Sequence, residues 1–441
     1  MEINPLVMFV IMILLIFTGQ PMGLVLGFAG LIFGVLSFGP NFIGILASRI
    51  FDVQTNYILV CLPLFILMGN MMEQSGTTEK LYETMHILLG GIRGGLAYAS
   101  VIIGTIFAAA TGVIGASVTT MDLIAIPAML KRGYDTKLTL GVLMASGTLG
   151  MLIPPSVMLV MYASWAQISV GRLYMACYFP GFLIGALYAV YVFVKCKISP
   201  NAGPPLAKAE RDAYSGSTKF KMFITSVVPP IALILIVMGS ILTGIATPTE
   251  SAGLGALGAI IIAAAFKKLN FKSFKEAIFR TGSATAMVML IAAGSYIFVS
   301  CFLRMGGAQA VANVFHALAL GKWGTLTIIM LILLVLGMFL DWFGILVILT
   351  PVFMPIIKEL GFDPIWFGVM VCVNLQMSFL TPPFGYALFY TKGVVPLVAP
   401  GVTTKDIFIS ILPFCGMIAI SLVIIAIFPQ ISLWLPSVIY G

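Results

Sequence analysis

Long apolar runs alternate with short polar punctuation from one end of this chain to the other. Residues 6–17 and 22–38 are apolar and are split by Thr18-Gly19-Gln20-Pro21; a stretch holding Arg49, Asp52 and Asn56 follows, and 57–72 is apolar again. Between 77 and 93, Leu81, Met85, Leu88, Leu89 and Ile92 recur at helical spacing opposite Glu79, Lys80, Glu83 and Arg93, which predicts a helix lying along a membrane surface. Residues 95–130 exceed one span, crowd small residues into Ala108–Ser117 and stop at Lys131-Arg132. Two half-length helices meeting at those small residues would form a re-entrant hairpin; a single tilted span with a small-residue packing face is the alternative. Further runs cover 138–163, 172–194, 222–242, 250–266, 284–303, 324–357, 365–390 and 407–435. About 20 helical residues cross ~30 Å of hydrocarbon, so these runs predict an all-α polytopic membrane protein, whereas a barrel would show short alternating segments.

One run is broken from within. Gly147-Thr-Leu-Gly-Met-Leu-Ile-Pro-Pro-Ser156 interrupts 138–163, and it has a counterpart 228 residues further on. That shift lays Pro154-Pro155 on Pro382-Pro383, Pro127 on Pro355, Gly133 on Gly361, Asp135 on Asp363, Leu152 on Leu380 and Tyr162 on Tyr390. Seven of 36 positions coincide, against roughly three expected by chance in so narrow an alphabet. The coincident residues are mostly those that fix backbone shape. A repeated unit with a broken helix in each half points to the substrate and ion site of a secondary transporter; a packing kink is the alternative.

Composition narrows the class. With 61% hydrophobic and 9% charged residues and a mean hydropathy of +1.13, the chain has too little polar surface to coat a water-soluble globule. The net charge of +8 sits mostly in loops between spans, where membrane orientation explains it, so nucleic acid is excluded as a partner. The only long polar stretch, 195–221, is rich in Lys and Arg against Glu210 and Asp212, and the positive-inside tendency makes it a cytoplasmic linker. Five complete spans before it, the hairpin not counted, put the N-terminus outside; the basic segment 267–280 then falls inside, and the C-terminus is periplasmic as well. An odd number of spans per half gives two inverted-topology repeats. The first hairpin opens from the cytoplasm and the second, around Asp341, from outside. The expected organisation is a first repeat 1–194 (scaffold helices about 1–94, transport part 95–194), a linker 195–221 and a second repeat 222–441 (scaffold about 222–322, transport part 323–441). Glu2 and Asn4 with no basic residue before the first run suggest an uncleaved first span over a signal peptide.

The candidate chemistry is sparse. Cys61, Cys177, Cys196, Cys301, Cys372 and Cys415 have no paired spacing, and His86 and His316 lie outside any ligand motif, so no transition-metal site is expected. No phosphate-cradling loop or nucleophile elbow occurs, so ATP is not the energy source on this chain, and no catalytic pairing marks an enzyme. Irregular backbone at membrane depth survives only when buried in protein or lining a cavity, and its free carbonyls and helix ends suit a small cation and a carboxylate. Gly147, Thr148 and Gly150, and Asn374, Ser378 and Thr381, offer oxygens near the two breaks. Asp341 is the acid most deeply set in apolar sequence and a functional candidate by default; a carboxylate at a helix start outside the membrane is the bland alternative. Asp122 has Thr119, Thr120, Lys131 and Arg132 nearby, so a local structural partner competes with a transport role. Glu250, after Thr247-Pro-Thr, fits a helix start.

Gly147–Ser156, Lys131-Arg-Gly-Tyr-Asp135, Gly244-Ile-Ala-Thr-Pro-Thr-Glu250, Leu336-Gly-Met-Phe-Leu-Asp341 and Leu380-Thr-Pro-Pro-Phe-Gly385 together resemble the large membrane (M) subunit of tripartite ATP-independent periplasmic (TRAP) transporters, over essentially the whole chain. The resemblance implies Na⁺-coupled import of a small organic acid across the bacterial inner membrane, with no cofactor beyond the coupling ion. It implies two partners, a periplasmic substrate-binding protein and a small four-helix membrane subunit. It also implies an elevator, ion-transporter-like, in which hairpins and broken helices move against a scaffold. The cation ligands would come from Thr111, Gly112, Gly115, Ser117, Gly147, Thr148 and Gly150 in the first half and Asp341, Gly344, Asn374 and Thr381 in the second, with Pro154, Pro155, Ser156, Pro382 and Pro383 around the substrate. Where the family has Ser-Gly-Ser at the first tip, this chain has Thr111-Gly112-Val113, one hydroxyl fewer. A stand-alone Na⁺/dicarboxylate carrier and a non-transporting membrane scaffold are the competing readings.

Overall fold

The computed structural model of the chain describes residues 4–111, 114–206, 213–383 and 385–441, and for 108–111, 114 and 116 only the helix they belong to. The described residues form α-helices joined by short turns. In the first half these are α1 (Val7–Ile16), α2 (Met22–Phe38), α3 (Phe42–Gln54), α4 (Cys61–Gln74), α5 (Thr77–Leu89), α6 (Gly95–Thr111), α7 (Ile114–Lys131), α8 (Thr136–Thr148), α9 (Val157–Ala166) and α10 (Val170–Ile198). The second half holds α11 (Gly216–Leu242), α12 (Pro248–Ala265), α13 (Phe271–Arg304), α14 (Gly307–Leu318), α15 (Gly321–Gly337), α16 (Trp342–Glu359), α17 (Pro364–Ser378), α18 (Tyr386–Val398), α19 (Thr404–Ile427) and α20 (Gln430–Tyr440). Among the described residues, seven helical segments are long and apolar enough to cross a membrane.

Each boundary has a local cause. Gly133 and Gly361 take left-handed backbone (φ 78° and 69°) that side chains resist. Two residues later Asp135 and Asp363 cap the next helices, accepting from Leu138 N at 2.8 Å and from Ile365 N at 2.7 Å. Within 95–130, helices α6 and α7 pack on each other, and the expected tip between them lies outside the described residues. Thr247 and Glu250 form a reciprocal capping box at the start of α12, which gives Glu250 the structural role.

Three expectations change. Arg49 and Asp52 lie on a helix, α3, with Phe42, Leu46 and Val53 buried on one face, and Asn56 caps the turn that follows it, accepting from Ile58 N at 3.0 Å. Most of the basic segment 267–280 is the start of α13, a helix of 34 residues, ~50 Å at ~1.5 Å per residue, so it overshoots a ~30 Å hydrocarbon layer. The run 407–435 is two helices. Phe428, just before Pro429, sits at φ −118°, ψ 73°, off the helical region that a following proline disfavours.

Packing sorts the helices into a centre and a rim. The most hydrophobic window of α16 is 72% buried, against 33% for α10, α11 and α19, whose outer faces present Phe193, Leu235 and Val423. Helices α2 and α13 touch through backbone, because Gly23, Gly30 and Gly294 lack the Cβ that would strike the facing main chain at under 3 Å. The shift of 228 residues lays α7 on α16, α8 on α17, α9 on α18 and α4 within α13. Contacts between the halves then come in exchanged pairs: α7 packs on α18 and α16 on α9, while α2 packs on α13 and α12 on α4.

Candidate functional site

Both broken helices lie in the buried centre. Helix α8 ends at Thr148, passes through the turn Leu149–Met151 and resumes as α9. Helix α17 ends at Ser378 and resumes as α18. Pro154-Pro155 and Pro382-Pro383 are both cis. The interruptions free backbone oxygens, and the protein occupies several of them itself. Ser156 Oγ donates to Met151 O at 2.7 Å and the Tyr174 hydroxyl to Ser156 O at 3.2 Å. Thr381 Oγ1 donates to Met377 O at 2.7 Å. Shelter of this kind is what makes irregular backbone tolerable inside a bilayer.

Asp341 faces a partly open cavity of about 100 Å³. Its wall comes from both halves: Gly115 of α7, Met151 of the first break, Val157 and Met158 of α9, Trp342 of α16, and Tyr386 and Tyr390 of α18, with α4 and α13 closing the far side. Asp341 caps α16, and one carboxylate oxygen accepts from Phe343 N at 3.1 Å. The alternative of a helix-start carboxylate is therefore half right, since Asp341 is a cap that also points into the interior. The positive end of α16 favours a carboxylate there. Among the described residues, no Lys or Arg lines the cavity. Its polar equipment is one acid, two phenols and an indole, set among methionines and aliphatic side chains. Gly115 makes room for Tyr390, because a Cβ there would lie 2.7 Å from the ring.

The sequence-derived set is brought together only in part. Gly115 and Asp341 share the cavity. Ser117 is buried on α7, and Gly147 lies against Val118. Thr148 Oγ1 donates to Ala145 O at 2.8 Å, and Gly150 sits in the turn that follows. Gly344 is buried on α16 against Met22. Asn374 Nδ2 donates to Met330 O at 2.8 Å, so in this arrangement its amide holds α17 to α15. Neither Asn374 nor Thr381 lines the cavity, nor do Pro154, Pro155, Ser156, Pro382 and Pro383, which flank it in sequence. The side chain of Thr111, and Gly112 and Val113, lie outside the described residues. Residue-by-residue reading missed Trp342, Tyr386, Tyr390 and Met158, whose only signal was their position next to Asp341 or just past a break.

Two further contacts cross between halves. Gln376 donates to Thr148 Oγ1 and to the Tyr188 hydroxyl, each at 3.4 Å. Asp122 is fully buried and accepts from the Thr391 hydroxyl of α18. Its partner is thus in the other half of the chain, not the local threonines or basic pair expected.

With this geometry in hand, comparison with known proteins is informative. Residues 9–431 match the family model described as Tripartite ATP-independent periplasmic transporter, DctM component. The chain is 31% identical over 404 residues to the C4-dicarboxylate TRAP transporter large permease protein DctM of Pseudomonas aeruginosa, covering 91% of this chain and 92% of that one. It is 31% identical over 430 residues to the sialic acid TRAP transporter large permease protein SiaM of Vibrio cholerae, covering 97% of each. It is also 31% identical over 394 residues to the isethionate TRAP transporter permease protein DctMQ of Oleidesulfovibrio alaskensis, covering 89% of this chain and 61% of that one. Among solved structures, the YdaH transporter of Alcanivorax borkumensis superposes with a TM-score of 0.64 at 14% identity, covering 98% of both chains. MtrF of Neisseria gonorrhoeae gives 0.62 at 16%, covering 90% of this chain and 85% of that one. At those identities the likeness is one of fold.

Proposed function

The chain belongs to the DctM component family of tripartite ATP-independent periplasmic transporters, and from that premise we propose that it is the large permease subunit of a Na⁺-coupled importer of a small organic acid. It is a transport protein and not an enzyme. The observation that carries the reading is Asp341, held at the head of α16 over an internal cavity whose wall is drawn from both broken-helix regions. A carboxylate so placed, with no basic side chain beside it, suits a small cation, and a bound cation would in turn receive a carboxylate substrate.

The two halves act as inverted repeats, with α6 and α7 forming one hairpin and α15 and α16 the other. The exchanged pairings support this. The α7–α18 and α9–α16 contacts fall within the parts assigned to the moving body (95–194 and 323–441), and the α2–α13 and α4–α12 contacts within the parts assigned to the scaffold (1–94 and 222–322). Helices α5 with α6 and α13 with α16 pack across the two parts, and these are the surfaces along which an elevator would have to slide. Both termini lie on the periplasmic side of the inner membrane, with 195–221 in the cytoplasm. A periplasmic binding protein delivers the substrate, and a small membrane subunit completes the permease. The longer DctMQ relative supports the second partner.

The test is uptake into proteoliposomes containing this chain, its small subunit and its binding protein, with labelled succinate, N-acetylneuraminate and isethionate as probes. Uptake of one probe that needs an inward Na⁺ gradient and all three components is the expected result. Uptake by this chain alone would establish the stand-alone carrier, and uptake indifferent to Na⁺ would remove the coupling ion.

A further inference from the structure

The seam between α7 and α18 holds an acid that the cavity of Asp341 does not use. Asp122 and Thr391 are both fully buried, and the Thr391 hydroxyl donates to Asp122 Oδ2. The other oxygen, Oδ1, is equally buried and has no hydrogen-bond partner among the described residues. Around it on α7 lie Val118, Met121, Ala125 and Ile126, all fully buried. In the exchanged seam between α16 and α9, the counterparts of Asp122 and Thr391 are Thr350 and Ala163. The acid therefore occurs in one seam only, and the packing of such seams does not require it.

Among the described residues, no charge pairs with it. Of the elements packed on α7, α4 brings Glu73, which pairs with Arg280 at 2.9 Å, and α8 brings Lys137. Helix α5 brings Glu79, Lys80, Glu83 and His86, with Lys80 over the Phe266 ring, and α6 brings Tyr98. Helix α18 brings Tyr386, Tyr390 and Lys392, and α7 itself ends in Lys131. Among the described residues, none of these forms an ion pair or hydrogen bond with Asp122; Thr391 alone reaches it. An ionised carboxylate accepts several hydrogen bonds in water, and burying one with a single donor and no counter-charge is prohibitively costly. A proton on Oδ1 removes the charge and leaves the smaller cost of a buried O–H without an acceptor.

We infer that Asp122 is a proton-binding site, carried as the neutral acid while the α7–α18 seam is closed, and that this chain is thereby linked to pH independently of any cation at Asp341. When the seam opens to water, the Oδ1–H bond breaks, the proton passes to water and the electron pair stays on the carboxylate. Closing the seam reverses the transfer. Because opening releases a proton and closing takes one up, a closed seam is favoured by low pH and weakened as pH rises.

The test does not depend on transport. Infrared spectra of the purified full-length chain in D₂O are compared with those of Asp122→Asn. The expected difference is the loss of one protonated-carboxyl C=O band in the variant. Loss of a carboxylate band instead would show Asp122 to be ionised and overturn the proposal. In parallel, the thermal midpoint of the native chain should fall with rising pH relative to Asp122→Asn, and parallel curves would equally overturn it. Should Asp122→Asn fail to fold, Thr391→Val serves. Removing the only donor to the carboxylate should move the pH midpoint of the band upward, and an unmoved midpoint sinks the idea.

Discussion

Gln376 donates its side-chain amide to the hydroxyl of Thr148, and these two residues are one repeat length, 228 positions, apart. A contact between two positions that the 228-residue shift superposes is what a two-fold exchange of the halves would produce at its axis. The contact marks where the broken helices α8 and α17 meet. At 3.4 Å both bonds from Gln376 are long, and its Oε1 is buried without a partner among the described residues. Gln376→Met should therefore change stability by no more than about 1 kcal/mol, since an apolar group of similar shape removes an unsatisfied acceptor along with two weak bonds. Thermal unfolding in detergent checks it.

Asp341 has two jobs that substitution can separate. Asn keeps an oxygen to accept from Phe343 N and is as good a cap as Asp, so Asp341→Asn should fold with stability within about 1 kcal/mol of the native chain. It removes the charge from the cavity, and uptake should fall at least about tenfold, a ~1.4 kcal/mol effect, with Na⁺ activation lost. Measuring uptake against Na⁺ concentration decides; normal activation in this variant would take Asp341 out of the ion site.

Gly115 is where α7 comes closest to the cavity's tyrosines. Gly115→Ala places a Cβ 2.7 Å from the Tyr390 ring, an overpacking that should cost about 1–3 kcal/mol. Adding Tyr390→Leu vacates that space, so the double variant should recover much of the loss. Unfolding midpoints of the four proteins in the cycle give the coupling directly.

The linker is tied down at its near end. Gly94 N donates to Gly203 O at 2.8 Å and Asp135 N to Ala202 O at 3.0 Å, so residues 202–203 bridge the start of α6 and the start of α8. A Cβ at Gly203 would meet Gly94 Cα and Cys196 Sγ, both at 2.8 Å. Backbone cannot give way as a side-chain tip can, so Gly203→Val should detach this bridge. The expected outcome is faster proteolytic cleavage between 199 and 221 with uptake retained in part.

Much of this was legible in the sequence because a few residue types dictate backbone shape wherever they occur. Gly133 and Gly361 share a left-handed turn, Asp135 and Asp363 cap, and both Pro-Pro pairs break a helix at the same place in their halves. The cavity was legible only at Asp341, where charge stands out against apolar neighbours. Met158 and Met287 look like any core methionine until the fold turns them inward. Asn374 and Thr381 read as ion ligands by type; each also donates to a carbonyl, of Met330 and of Met377, a contact fixed by rotamer and not by order in the chain. Thr391 belongs to no motif, and it lies 269 residues from the aspartate it serves.

The exchanged seams also bear on biogenesis. Helix α9 closes on α16, and α16 is translated almost two hundred residues later, a delay on the order of ten to forty seconds at ~5–20 residues per second. Throughout that interval the α9 face beside the first Pro-Pro break lacks the α16 surface that will cover it. Insertase or chaperone shielding of the nascent first half is thus a requirement of this architecture, and two separately encoded halves would yield a working permease only if they met in the same membrane before quality control removed them.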